Sequence, residues 1–198
     1  LMYMNKTYVK QHNRTPVHEL GLQLWNKHLL QRPLVRSILR KVILEAVLKF
    51  RTACREGYAP EANDLIGAVT KMAMDVGAQT YEEVVEQPIR QDTQAFYRSV
   101  SQQEISSRSC PEYLEVLRKS LDDEVRMVDA YLFESSKPKI ISKVEEEMIQ
   151  NQVDVLINME GSGLLHQLRS KSLGDLELTY VMLKRSPNGL PAVIALLK

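Results

Sequence analysis

Residues Pro111 to Phe133, PEYLEVLRKSLDDEVRMVDAYLF, carry the clearest pattern in the chain. Leu114, Leu117, Leu121, Val125, Val128 and Leu132 recur at three- and four-residue steps, which lays one apolar stripe along a helix. Arg118, Lys119, Asp122, Asp123 and Arg126 are expected on the opposite side. Such a helix must bury its stripe against other helices, and Leu117, Leu121, Val125 and Val128 are expected in a core. Ser109 and Glu112 have the spacing of a capping box and start it; Ser135-Ser136-Lys137-Pro138 stops it.

The same reading extends in both directions. Upstream, Leu1 to Val9 is short and apolar, with the look of the last turns of a helix. Thr15 caps a helix with Pro16 at its first position, carrying Val17, Leu20, Leu24 and Leu29 with Trp25 beside them. Pro33 opens the next helix, in which Val35, Leu39, Ile43 and Val47 form one apolar row and Leu34, Ile38, Val42 and Ala46 the adjacent one. Two rows predict deep burial, with Gly57 as the left-handed closing residue. A shorter helix from Glu61 ends at Gly77. Thr80-x-x-Glu83 has capping spacing for a helix from Tyr81, which Pro88 interrupts.

Downstream of the central helix, Ile140, Ile141, Val144, Met148, Val155 and Leu156 predict one helix running to about Asn158, then a turn at Gly161-Ser162-Gly163. A short helix follows over Leu164 to Leu168. Ser172-x-x-Asp175 caps another, and Pro187-Asn188-Gly189 turns into a terminal apolar segment. No stretch shows sustained period-two alternation, so the chain is all-α, as a single bundle or a stacked array of helical pairs.

Composition narrows the function classes. The chain has 198 residues, 44% apolar and 26% charged, enough for a real core. Its 26 basic and 25 acidic residues give a net charge of +1, so no overall field favours nucleic acid or an anionic membrane. No apolar run approaches the ~18 residues of a membrane span, and a soluble chain is expected. Cys54 and Cys110 lie far apart with no CxxC, which argues for neither a disulfide framework nor a zinc site and for a reducing compartment. Asn5-Lys6-Thr7 and Asn13-Arg14-Thr15 match the short glycosylation pattern, but nothing else points to secretion. The opening at Leu1 and the close inside the run Ala192 to Leu197 read as an excerpt of a longer polypeptide.

Candidate chemistry is sparse. His12, His18, His28 and His166 have no ligand spacing, and Gly161-x-Gly163 lacks the third glycine of a dinucleotide site, since position 166 is His. Glu145-Glu146-Glu147 points in three directions around a helix and reads as a solvated face. Arg32, Arg36, Arg40 and Lys41 form a basic stripe better suited to pairing with carboxylates of a neighbouring helix than to holding phosphates. Met72, Met74, Met148 and Met159 read as core filler. No metal, cofactor or catalytic residue is expected.

Three stretches together resemble the N-terminal helical region of cullins, the scaffolds of multisubunit ubiquitin ligases. MYMNKTYV at Met2 to Val9 is similar to the family's Y-M-D-R-x-Y-V, with Asn5 for Asp and Lys6 for Arg. The central stretch and its continuation to VEEEMI are similar to E-Y-L, E-E-x-x-R-V and E-x-x-L-I. DLELTYVMLKRSPNGL at Asp175 to Leu190 is similar to D-L-x-x-M-Y-x-L-F-x-R-V-x-x-G-L, departing at Met182, Leu183 and Ser186, where the family has Leu, Phe and Val. Asn158 to Leu164 and Tyr81-Glu82-Glu83 resemble the class that recruits substrates through BTB-domain adaptors.

The resemblance implies stacked helical cullin repeats forming a stalk: residues 1–14 as the last helix of a first repeat plus linker, 15–134 as the second, and 135–198 as the start of the third. It implies a non-catalytic spacer in ubiquitin-dependent degradation, in cytoplasm and nucleus, binding a BTB-domain adaptor at one end, with Tyr3 on the adaptor side. The RING protein and E2 would be held by a C-terminal region outside this sequence; neither nucleic acid nor membrane is an expected partner. The alternative is a helical interaction rod of another kind, such as a tethering-complex subunit or a HEAT-like array.

Overall fold

A computed structural model describes residues 12, 15–60 and 63–196, the last of them by its backbone. Every regular element among them is helical: α1 (Val17–Trp25), α2 (Pro33–Glu56), α3 (Asp64–Val76), α4 (Ala78–Tyr81), α5 (Gln87–Ser107), α6 (Cys110–Tyr131), α7 (Lys137–Met148), α8 (Val153–Asn158), α9 (Leu164–Ser170), α10 (Leu173–Leu183) and α11 (Gly189–Leu196). The segment Leu1 to Val9, Tyr3 included, lies outside the described residues.

The central helix forms where the stripe puts it. Ser109 and Glu112 make the reciprocal capping box, with the Ser109 N–H donating to Glu112 at 2.9 Å, and Pro111 sits where a missing N–H costs nothing. Leu114, Leu117, Leu121 and Val128 are buried, as expected, but Val125 is only half-buried. The stripe drifts because 3.6 residues per turn do not match a strict repeat, and Glu124 and Met127 take the buried positions beside Val125. Asp123, expected on the solvent side, is buried as well.

Among the described residues, two apolar clusters make up the interior. One gathers Ile43, Val47 and Phe50 of α2 with Ile66 and Ala73 of α3, Ile89, Met127 and Tyr131. The other gathers Tyr97, Val100, Leu114, Leu117, Leu121, Val144 and Met148 with α8 to α10. Both draw on α5, α6 and α7. Helix α5 enters the first cluster at Ile89 and the second at Tyr97, α6 runs from Leu114 in the second to Tyr131 in the first, and α7 from Ile140 back to Met148. These three helices thus lie alternately up and down as a shared wall, with α7 packed on both α5 and α6.

Several expectations change at the ends of helices. Pro16, with extended dihedrals, takes the cap position of α1 itself, and no side chain caps that helix, so Thr15 does not. None of α1 is buried, and its Leu20 and Leu24, with Leu29 in the π turn Asn26–Leu30, are exposed. In α2 the first apolar row buries Ile43 and Val47, whereas Leu34, Ile38 and Val42 of the second stay exposed because no described element packs on that side. Gly57 closes α2 at φ 83° and Gly77 closes α3, both as expected.

Thr80 does not cap: it lies inside a helix that begins at Ala78 behind Gly77. That helix runs through a π turn at Glu82–Glu86 into α5, which places the wider turn just ahead of Pro88, where the ring cannot accept an ordinary α-helical neighbour four residues back. The helix expected from Ile140 to Asn158 is broken by a 3₁₀ turn at Gln150–Gln152, so Val153 and Leu156 re-enter the core on a separate α8. At the Gly161–Gly163 turn a Cβ on Gly163 would come within 2.7 Å of the Met159 amide nitrogen.

Candidate functional site

Charged residues inside apolar stripes locate the polar interior. Arg51 falls on the buried face of α2 between Val47 and Cys54, Glu124 on that of α6 between Leu121 and Val128, and Glu147 on that of α7 beyond Val144. A charge cannot stay there without partners, since desolvation alone costs several kcal/mol per ion. Each has them.

Arg51 is 2% exposed and joins three helices. Its Nε donates to Oε1 of Glu124 at 2.6 Å and Nη2 to Oε2 at 3.1 Å, a forked pair between α2 and α6. Toward α5, Nη1 donates to Asp92 at 2.7 Å and Nη2 to the Thr93 hydroxyl at 2.6 Å, while the ring of Phe96 lies 4.9 Å from the guanidinium carbon. Tyr97 completes the cluster by donating to Glu124 at 3.0 Å. Burial would lower the Arg51 pKa, but the Glu124 carboxylate, helped by Tyr97 and Asp92, outweighs it and holds the guanidinium above its ordinary value. Burial first, and then the Glu124 charge, push the Tyr97 phenol well above 10.0.

Similar ties repeat along the molecule. The Phe133 N–H donates to the Tyr81 hydroxyl at 3.3 Å; that hydroxyl and Ser136 are 2.6 Å apart; Ser136 donates to Glu86, which also holds Lys139 at 2.7 Å. Glu147 of α7 accepts from Arg98 and Gln94 of α5 and from Asn151. Burial raises its pKa, yet these donors together hold it below the ordinary 4.5. Tyr113 of α6 bonds Ser101 of α5 and the Met148 carbonyl of α7, both at 2.8 Å. Further on, the Cys110 N–H donates to Ser162, Gln167 to the Ser162 carbonyl, and Thr179 to Gln167. Most helices between α2 and α10 are fastened to a neighbour by hydrogen-bonded polar groups, although the Thr70 hydroxyl of α3 is buried without a partner among the described residues.

The triple-glutamate stretch is therefore not the solvated face expected of it, since Glu147 lies in the interior. Of the basic stripe, Arg36 meets a carboxylate beyond its own helix as expected, Glu83 at 3.6 Å, whereas Arg40 donates to the amide oxygen of Gln91 and the exposed Lys41 stands 3.9 Å from Glu45 of α2 itself. Met148 fills the core, while Met72 is exposed. His12, His18, His28 and His166 are exposed, and among the described residues no cluster of His, Cys, Asp or Glu is placed to hold a metal ion.

Cys54 and Cys110 are buried and not joined to each other. Burial pushes the Cys110 thiol up to about 11 and raises that of Cys54, so neither is a ready thiolate. A cavity of about 180 Å³ opens beside Arg51, where Glu104 pairs with both Arg55 and Arg108. No described helix is long and apolar enough to cross a membrane. What the arrangement does is tie helices of the stack to one another.

Comparison with known proteins agrees. The chain is 38% identical to Cullin-3B of Arabidopsis thaliana over 195 residues, 98% of this chain and 26% of that protein. It is 36% identical to Cullin-3A of the same plant, again over 98% of this chain and 26% of the relative, and 34% identical to Cullin-3 of Dictyostelium discoideum over 96% and 24%. The chain thus spans about a quarter of the length of the curated relatives it matches. The family model described as the cullin alpha solenoid domain matches residues 1–198 throughout. With its stacked helical repeats and this match along its whole length, the chain belongs to the cullin family.

Proposed function

We propose that this chain is a non-catalytic scaffold segment of a cullin-RING ubiquitin ligase, a rigid spacer between a substrate adaptor and the RING and E2 end. The observation that supports it most is the succession of buried ties from Arg51 to Thr179, which resist hinge motion between neighbouring helices. A stiff spacer holds substrate lysines near the charged E2 and so raises their effective concentration; a loose one dilutes them.

The adaptor in this reading is a BTB-domain protein, because the relatives at 34–38% identity are named cullin-3 and the Tyr81 and Asn158 stretches resemble that class. It binds through the complete N-terminal region, Tyr3 included. The RING protein and E2 bind beyond this chain. Residues 1–14, 15–134 and 135–198 represent parts of three successive repeats, and the protein works in cytoplasm and nucleus on ubiquitin-dependent degradation.

The test uses the full-length protein with a BTB-domain adaptor, a RING protein and a charged E2. Ubiquitin transfer to an adaptor-bound substrate is expected, and it should fall when Arg51→Ala and Glu124→Ala loosen the stalk while adaptor and RING binding persist. Failure to bind any BTB adaptor, or transfer unchanged by loosening that scattering confirms, would overturn the reading.

A further inference from the structure

We propose that the outer face of α2 is a docking surface for an acidic amphipathic helix of a partner protein. Leu34 and Ile38, 72% and 53% exposed, continue through Val42 at four-residue steps as a ridge along this helix. Beside the ridge runs a groove of about 410 Å³ between α2 and α5, floored by Leu44, Leu48 and Phe96. Leu48 is 51% exposed. The floor is set in advance: the Arg51 guanidinium lies 4.9 Å from the Phe96 ring and Tyr97 meets that ring edge-on at 5.0 Å. A concave apolar slot next to an apolar ridge suits side chains at i, i+4 and i+7 of a helix.

Charge decides the occupant. From Gln31 to Lys49 the chain carries Arg32, Arg36, Arg40, Lys41 and Lys49 against Glu45 alone, although the whole protein is nearly neutral. Arg36 turns to Glu83, while Arg40 and Lys41 stand at the rim of the groove. Of the two carboxylates at that rim, Asp92 is bound to Arg51 at 2.7 Å and Glu45 stands 3.9 Å from Lys41. A second copy would set this basic face against itself. Residues 1–14 of this chain add Lys6, Lys10 and Arg14 with no carboxylate, so they too are mismatched. An acidic helix is matched in both shape and sign.

The experiment titrates full-length protein into a labelled synthetic helical peptide with leucines at i, i+4 and i+7 and glutamates flanking them, beside a peptide with lysines in place of the glutamates. The acidic peptide is expected to bind at least about tenfold more tightly, and less so as salt rises. Ile38→Ser with Leu48→Ser should weaken it by about tenfold without moving the melting temperature. Arg40→Glu with Lys41→Glu should reverse the preference between the peptides. Equal affinity for both peptides, or no binding, overturns the proposal. So does saturable binding to phosphatidylserine vesicles that the serine variant abolishes, self-association that the same variant abolishes, or a Leu48→Cys thiol that stays unreactive in the full-length protein because the protein's own chain covers it.

Discussion

The Arg51 guanidinium and the Glu124 carboxylate face each other through two hydrogen bonds of 2.6 and 3.1 Å in a space where Glu124 has no solvent exposure at all. Removing one partner strands the other. Glu124→Ala is therefore expected to cost about 3–5 kcal/mol in chemical denaturation, more than the pair itself contributes. Arg51→Met combined with Glu124→Leu should recover part of the loss, though Asp92 and Thr93 would still miss their donor. A single variant within about 1 kcal/mol of the parent would show that water reaches this site.

Glu147 supplies a pH signature. Its pKa is held below 4.5 in the folded protein by Arg98, Gln94 and Asn151, against the opposing effect of burial. The unfolded state therefore binds the proton first as pH falls, so the stabilisation is complete above 4.5 and is lost as pH drops through the folded value. In denaturation series between pH 7 and 3, Glu147→Gln should lose less stability on acidification than the parent. Parallel curves would mean that the carboxylate is already solvated.

Ser186 stands where the family pattern has Val, and its hydroxyl is buried without a hydrogen-bond partner among the described residues. An unmatched buried hydroxyl costs about 1–3 kcal/mol. Ser186→Val should stabilise the protein by about 1 kcal/mol, and Ser186→Ala, which adds no branch to the core, by a similar or smaller amount. Thermal melts of the two variants check this. A drop in both would reveal a partner for the hydroxyl, such as an ordered water.

How far the sequence reached follows from which force sets each feature. Local rules placed the capping box at Ser109 and Glu112, the glycine at 57 and the stripe of α6, because those depend on neighbours in the chain. Rows of apolar residues misled where burial needs a second element: Leu34 and Ile38 have helical spacing but nothing described packs over them. Thr80 matched a cap motif, yet Gly77 upstream had already begun the helix. The buried ties were legible in principle, since Arg51, Glu124 and Glu147 each interrupt an apolar stripe. Their partners on other helices, 27 residues away along the chain for Tyr97–Glu124 and 73 for Arg51–Glu124, were not.

Tyr3 is the site residue that rests on family resemblance alone, since it lies outside the described residues. The resemblance places it on the adaptor-facing side of the last helix of a first repeat. A tyrosine suits that position, combining a large contact area with few rotamers and a hydroxyl for the rim. In the full-length protein, Tyr3→Ala is expected to weaken BTB-adaptor binding by ~1–3 kcal/mol while the melting temperature stays put. Tyr3→Phe should retain most of the affinity, because it keeps the ring and gives up only the hydroxyl. If Tyr3→Ala instead lowers the melting temperature and leaves affinity intact, the ring packs against the stalk and the adaptor surface lies elsewhere.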